Sequence, residues 1–239
     1  EVRKVPLKNG VHDLEAMLEA IDEKTSVVWV CNPNNPTGTI VSDDTLSAFL
    51  AKVPKDVFVV LDEAYVEYIN DASYKDTLHY FRDYPNLILL RTFSKAYGLA
   101  SFRVGYGIAQ ADIIAKLDPV RAPFNNTILS QQVAQIALQD QEYIASCREA
   151  NEIGKKQFVE FCKQHGLNYF PSQTNFVMFE VKAPSNVVFE EMMKRGFIIR
   201  SGAALGLEGY IRVTIGTEAQ NARFLQLLGE VLNEQGVLA

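Results

Sequence analysis

Three short, uninterrupted apolar runs constrain this chain most: Val27 to Val30, Val57 to Leu61 and Leu87 to Leu90. Strands covered on both faces of a parallel sheet read as continuous hydrophobic segments rather than alternating ones. Helix signals lie between them. Asp13 stands as a cap before Leu14, Met17, Leu18 and Ile21, and Ser42 with Asp43 and Asp44 precedes Leu46, Phe49 and Leu50. Both sets follow helical spacing behind a side-chain acceptor, with acids at the positive end of the second helix. Val104 to Ile108 reads as a fourth strand. The expectation is an α/β fold with a mostly parallel sheet flanked by helices, whose ligands bind beyond the carboxyl ends of the strands.

From Ile128 to His165 the pattern is helical, and Gly166 is placed as a stop. Beyond it, Asn175 to Val181, Phe197 to Arg200 and Tyr210 to Ile215 read as strands, with helices over Val187 to Arg195 and Ala219 to Glu234. We therefore divide the chain into a large domain, residues 1–124, and a linking helix with a smaller C-terminal α+β domain, residues 125–239. A chain of 239 residues with 48% apolar content buries a full core.

A formal charge of −6 and a pI near 5.2 argue against a nucleic-acid surface, and no block of like charge suggests a membrane patch. Cys31, Cys147 and Cys162 form no CxxC pair and fit reduced thiols, with Cys147 and Cys162 expected to be packed on a helix. His12, His79 and His165 lie far apart without metal-ligand spacing, so no metal is expected. No apolar stretch approaches the ~20 residues of a membrane span, and a cytoplasmic location is expected.

The chemistry-bearing residues gather where the strands end. Asn32-Pro33-Asn34-Asn35-Pro36-Thr37-Gly38 follows the first run, Asp62-Glu63-Ala64-Tyr65 the second, and Arg91-Thr92-Phe93-Ser94-Lys95-Ala96-Tyr97-Gly98 the third. A lysine becomes a nucleophile when a cationic or apolar neighbourhood lowers its pKa. Asp62 follows five apolar residues, so its carboxylate needs a cationic partner. A carboxylate, a phenol and an amine so delivered suit a pyridine ring with an acidic and a basic end. Gly105 and Gly107 do not make a dinucleotide fingerprint, because no third glycine follows at the required spacing.

These segments, with Ile211-Arg212-Val213-Thr214-Ile215-Gly216-Thr217, resemble the signature of the fold-type I pyridoxal-phosphate aminotransferases, in wording most like the histidinol-phosphate aminotransferases. The resemblance implies pyridoxal 5'-phosphate as cofactor. Lys95 would form the imine with it and move the proton between substrate and cofactor, while Asp62 would keep the pyridine nitrogen protonated. Tyr65 and Asn35 would hydrogen-bond the phenolic oxygen, with a cis Asn35-Pro36 bond aiming Asn35 at the ring. Thr92, Ser94 and Arg103 match the phosphate contacts, and Arg212, Arg200 and Asn175 match substrate contacts. Taken alone, Arg103 is an ordinary surface charge and Asn175 an ordinary strand-start residue. Ser101 and Phe102 depart from the small residue and leucine usual there.

By the same resemblance the expected activity is transamination between histidinol phosphate and imidazole acetol phosphate with glutamate and 2-oxoglutarate, in histidine biosynthesis, by a homodimer. Two other readings keep the site: aromatic amino-acid transamination, or decarboxylation like that of a threonine-phosphate decarboxylase. A third is a silent binding module. The family's N-terminal arm, its Gly-Ser-rich phosphate loop and its ring-stacking aromatic have no counterpart here, so the sequence is expected to be the later part of such a chain and not to turn over unaided.

Overall fold

The computed structural model describes residues 1–238 and falls into two compact units: Glu1–Asn34 with Ile40–Ala145, and Asn35–Thr39 with the chain from Ser146 on. The division lies inside a long helix, between Ala145 and Ser146, rather than at residue 124 as expected from the sequence.

The first unit is built on a four-stranded sheet in the order β1-β2-β3-β4, with β1 Val27–Cys31, β2 Phe58–Asp62, β3 Leu87–Thr92 and β4 Gly105–Ile108. The first three strands are parallel, in a register that aligns Cys31, Asp62 and Leu90. β4 runs antiparallel to β3 because only the Lys95 turn and the short 3-10 turn Ala100–Phe102 join them, too little chain for a parallel crossover.

Helices α1, Leu14–Glu19, and α2, Asp43–Lys52, begin where the sequence placed them. Asp13 accepts from the Ala16 amide and Ser42 from that of Thr45. Their apolar faces meet the sheet in a core of Leu14, Leu46, Phe49, Leu50, Val30, Val59, Leu61, Leu87 and Leu89. β2 is buried on both faces, as its continuous apolar run predicts. β1 is not: Val28 and Val30 are buried, but Val27 and Trp29 are 50% and 51% exposed.

Helices α3, Ala111–Leu117, and α4, Ile128–Gln139, follow; α4 is capped by Thr127. The helical stretch predicted from Ile128 is interrupted at Asp140. Its carboxylate accepts from the Tyr143 amide and starts α5, Gln141–Gln164. Gly166 then takes φ +60° and ends the helix as expected.

In the second unit β5 Phe176–Glu180, β7 Tyr210–Thr214 and β6 Arg200–Ser201 form an antiparallel sheet in the order β5-β7-β6. Helices α6, Ser185–Lys194, and α7, Glu218–Glu234, pack on it with α5. A Thr217/Gln220 capping box opens α7. The strand expected over Phe197 to Arg200 shrinks to its end: Ile199 is buried in the core while Ile198 is 83% exposed, and only Arg200 and Ser201 pair with β7. Phe158, Phe179, Met192, Ile211 and Leu228 are fully buried, each contributing about 1.5–3 kcal/mol. Among the described residues, no helix is long and apolar enough to cross a membrane.

Candidate active site

In the first unit the parallel ladder ends at Asp62. The Asn32 amide donates to the Asp62 carbonyl at 3.0 Å and the Glu63 amide to Leu90 at 2.8 Å, so the chain beyond is free to turn. Asp62 Oδ1 accepts from the Ala64 amide at 3.2 Å. Its other carboxylate oxygen takes no hydrogen bond from the described residues, although the side chain is half-buried. Such an oxygen calls for a cationic donor.

Tyr65, buried three residues on, presents its ring to Lys95, whose Nζ lies 5.3 Å from the ring centroid. Lys95 is exposed and forms no ion pair among the described residues. Its turn is anchored from beneath: Phe93, Ala96 and Tyr97 are buried, and the Gly98 and Leu99 amides donate to the Lys95 and Phe93 carbonyls. Apolar neighbours thus fix the backbone and leave the amine outward.

Thr92 Oγ1 accepts from the Ser94 amide at 3.0 Å. The Phe93 amide donates to the Val104 carbonyl, which brings Arg103 alongside this turn. Arg103 adopts φ +52° and donates to the Ala100 carbonyl at 2.7 Å. The close approach of the strands depends on Gly105, where a Cβ would stand 2.8 Å from the Arg91 carbonyl oxygen. A carboxylate oxygen, a phenol, an amine without an ion pair among the described residues, and two hydroxyls with a guanidinium fit a phosphorylated pyridine aldehyde in kind and number.

Two residues that hold this unit's site did not stand out in the sequence. Glu63 is 1% exposed and accepts from Arg91 Nε at 2.8 Å, Thr77 Oγ1 at 2.5 Å and the Tyr74 hydroxyl at 3.1 Å. Arg91 also donates to Asp76 at 2.9 Å. Burial works against the Arg91 charge, yet the carboxylates of Glu63 and Asp76 outweigh it and raise its pKa. Burial and then the Glu63 charge push the Tyr74 phenol up. The available signal was an acid and a base flanking the motif residues Asp62 and Thr92.

Cys31, opposite Asp62, has its thiol pushed up to about 11 by burial and then by the Asp62 charge; burial takes Cys162 to about 12. Cys147, expected to be packed, is only half-buried because its part of α5 faces outward more than the region around Cys162. An alkylating reagent at pH 8 is therefore expected to label Cys147 first and to reach Cys162 only on unfolding. Peptide mass spectrometry checks this, and equal labelling of Cys147 and Cys162 in the folded protein would contradict it.

The second unit gathers a different set. Arg212 stands in β7 between Met178 of β5 and Arg200 of β6. Its guanidinium carbon lies 4.8 Å from the Phe176 ring centroid, and Nη1 donates to Asn35 Oδ1. Directly opposed like charges on adjacent strands repel. The Arg200/Arg212 pairing therefore suits an anion. Asn175 precedes β5, and its carbonyl accepts from the Ile215 amide at 2.9 Å.

Asn35 belongs to this unit because the segment Asn35–Thr39 packs with it. Both Asn-Pro bonds of the run, Asn32-Pro33 and Asn35-Pro36, are cis. The Gln173 amide donates to the Gly38 carbonyl at 2.7 Å, and Gly38 has φ +80° against the Ser172 side chain. Ser172 is fixed in turn: Lys155 Nζ donates to its carbonyl at 2.8 Å, and its hydroxyl donates to the Phe176 carbonyl at 2.6 Å. A Cβ at Gly38 would collide with Ser172 in a backbone conformation that disfavours it. Gly38→Ala is expected to destabilise the protein by roughly 1–3 kcal/mol in urea unfolding. A variant as stable as the parent would show that the segment shifts freely.

A family profile described as aminotransferase class I and II matches residues 1–228. A curated relative, the histidinol-phosphate aminotransferase of Lysinibacillus sphaericus, is 68% identical over 239 residues, all of this chain and 65% of that protein. The histidinol-phosphate aminotransferase of Halalkalibacterium halodurans is 55% identical over 235 residues, 98% of this chain and 64% of the relative. The chain thus spans just under two thirds of the length of these relatives. Among solved structures, the histidinol-phosphate aminotransferase of Sinorhizobium meliloti in complex with pyridoxal-5'-phosphate superposes with a TM-score of 0.89. It is 29% identical, and the match covers 98% of this chain and 65% of that one.

Proposed function

Since the chain belongs to the class I and II aminotransferase family, we propose that it serves the pyridoxal-phosphate-dependent transamination of histidinol phosphate, with 2-oxoglutarate and glutamate as the second pair. The observation that carries the cofactor reading is the Lys95 amine over the buried Tyr65 ring, beside a strand end at Asp62; among the described residues the amine has no ion pair and one Asp62 oxygen no donor. The substrate reading is supported by the relatives' names and by the cross-strand Arg200/Arg212 pair.

When bound, pyridoxal phosphate supplies an electron sink for the pair left on a substrate carbon that loses its proton. The residues of this chain do the rest. Asp62 would accept a hydrogen bond from the ring nitrogen and hold a proton there. Tyr65 would donate to the phenolic oxygen. Thr92, Ser94 and Arg103 would bind the phosphate through hydroxyls and a guanidinium. Lys95 would supply the amine that attaches the group and would serve as the base that moves the proton at the substrate α-carbon. Arg212 pairs through its planar fork with a carboxylate or a phosphate, so one residue can serve both substrates, and Arg200 adds a second cationic contact. A homodimeric, cytoplasmic enzyme of small-molecule metabolism follows from this reading.

The test is visible absorbance of the purified protein with added pyridoxal phosphate, before and after histidinol phosphate. A band that forms and then bleaches supports the proposal. Bleaching by phenylalanine in place of histidinol phosphate would transfer the site to aromatic amino acids. Absence of any band would defeat the cofactor reading for this chain.

A further inference from the structure

Glu63 and Arg91 carry charge in a place where charge is costly. Their side chains are 1% and 11% exposed, and taking both from water consumes most of what their attraction returns. An apolar pair of similar volume would fill the space at no such cost. An ion pair supplies fixed direction instead: the Arg91 fork reaches Glu63 with one arm and Asp76 with another, while Thr77 and Tyr74 complete the Glu63 carboxylate.

The location gives that direction a use. The backbone pairing of β2 with β3 stops where the Glu63 amide meets Leu90. Beyond that point the two chains separate, one into the Asp62–Tyr65 turn and the other into the Thr92–Lys95 turn. Glu63 follows Asp62, and Arg91 precedes Thr92. The ion pair therefore ties the two turns together immediately past the ladder.

We propose that the Glu63–Arg91 pair is a positioning clamp that sets Asp62 and Tyr65 relative to Lys95. Its consequence for cofactor binding rests on the function proposed above, whereas the clamp itself does not. The pair touches no reacting atom and acts through its chain neighbours.

Two variants and two readouts test it. In Arg91→Met, amide hydrogen exchange in the absence of cofactor is expected to rise at least tenfold at Ala64 and Ser94, with the β2 amides of Val60 and Leu61 unchanged. The double variant Glu63→Gln/Arg91→Met removes both charges and keeps the volume, so it guards against simple failure to fold. It is expected to melt close to the parent yet to bind pyridoxal phosphate about tenfold more weakly, with the pH midpoint of the bound cofactor's visible absorbance displaced.

Exchange that rises equally along β2, or not at all, overturns the clamp. So does a double variant with the parent's exchange pattern, affinity and pH midpoint, which would leave the pair a packing feature. If the unsubstituted chain takes up no pyridoxal phosphate, the function proposed above falls, and the exchange measurement alone still decides the clamp.

Discussion

Lys95→Ala is expected to abolish covalent capture of pyridoxal phosphate, so that borohydride treatment adds no cofactor mass to the protein. The physical ground is that Lys95 is the one residue of its turn whose side chain is offered outward while Phe93, Ala96 and Tyr97 are sunk beneath it. Removing an exposed side chain leaves those anchors in place, and surface substitutions away from packed features usually change stability by less than about 0.5 kcal/mol. The variant should fold and bind cofactor through Asp62 and the phosphate contacts without a covalent bond. Loss of a positioned acid–base group alone lowers transamination by roughly 10²–10⁴-fold. Cofactor mass still fixed in Lys95→Ala would move the attachment to another lysine and sink the assignment.

Arg212→Ala should spare the cofactor and strike the substrate. Its guanidinium belongs to the second unit, seated on Phe176 and tied to Asn35, and the cofactor contacts assigned to Thr92, Ser94, Lys95 and Arg103 belong to the first. Truncating one partner of a hydrogen-bonded charge pair costs about 2–5 kcal/mol, which is roughly 30-fold or more in affinity. The expected outcome is weaker binding of histidinol phosphate and of glutamate together, read by titration, with the visible spectrum of the bound cofactor intact. Arg212→Lys should recover only part of this, because an ammonium cannot pair with both oxygens at once. An effect confined to one substrate would show that Arg200 and Arg212 divide the two anions between them.

Much of this was legible in the sequence because apolar continuity and capping chemistry act locally. β2, with both faces covered, was marked by an unbroken run, and Asp13 and Ser42 cap the helices they precede. The misses are non-local. The run of β1 carries no mark distinguishing a covered face from an open one, so the exposure of Val27 and Trp29 could not be read from it. The break at Asp140 interrupts an apolar pattern that continues on both sides. Glu63 and Arg91 are 28 residues apart, and their pairing depends on the register of two strands. Asn35 precedes most of the first unit in sequence, yet its contacts place it with Arg212, 177 positions later. Motif wording gave the chemistry of these residues but not their partners.

The hairpin return of β4 also bears on how the molecule assembles. Lys95 and Arg103 lie on one short connection, so bringing the amine and the guanidinium together closes only a small loop, and loop-closure entropy grows with the chain enclosed. Hairpins form in roughly 1–10 μs, whereas joining Asp62 to the same turn requires the longer β2-to-β3 excursion and a parallel register. The turn that carries Lys95 and Arg103 is therefore expected to form early and by itself, and its link to Asp62 later, on completion of the sheet.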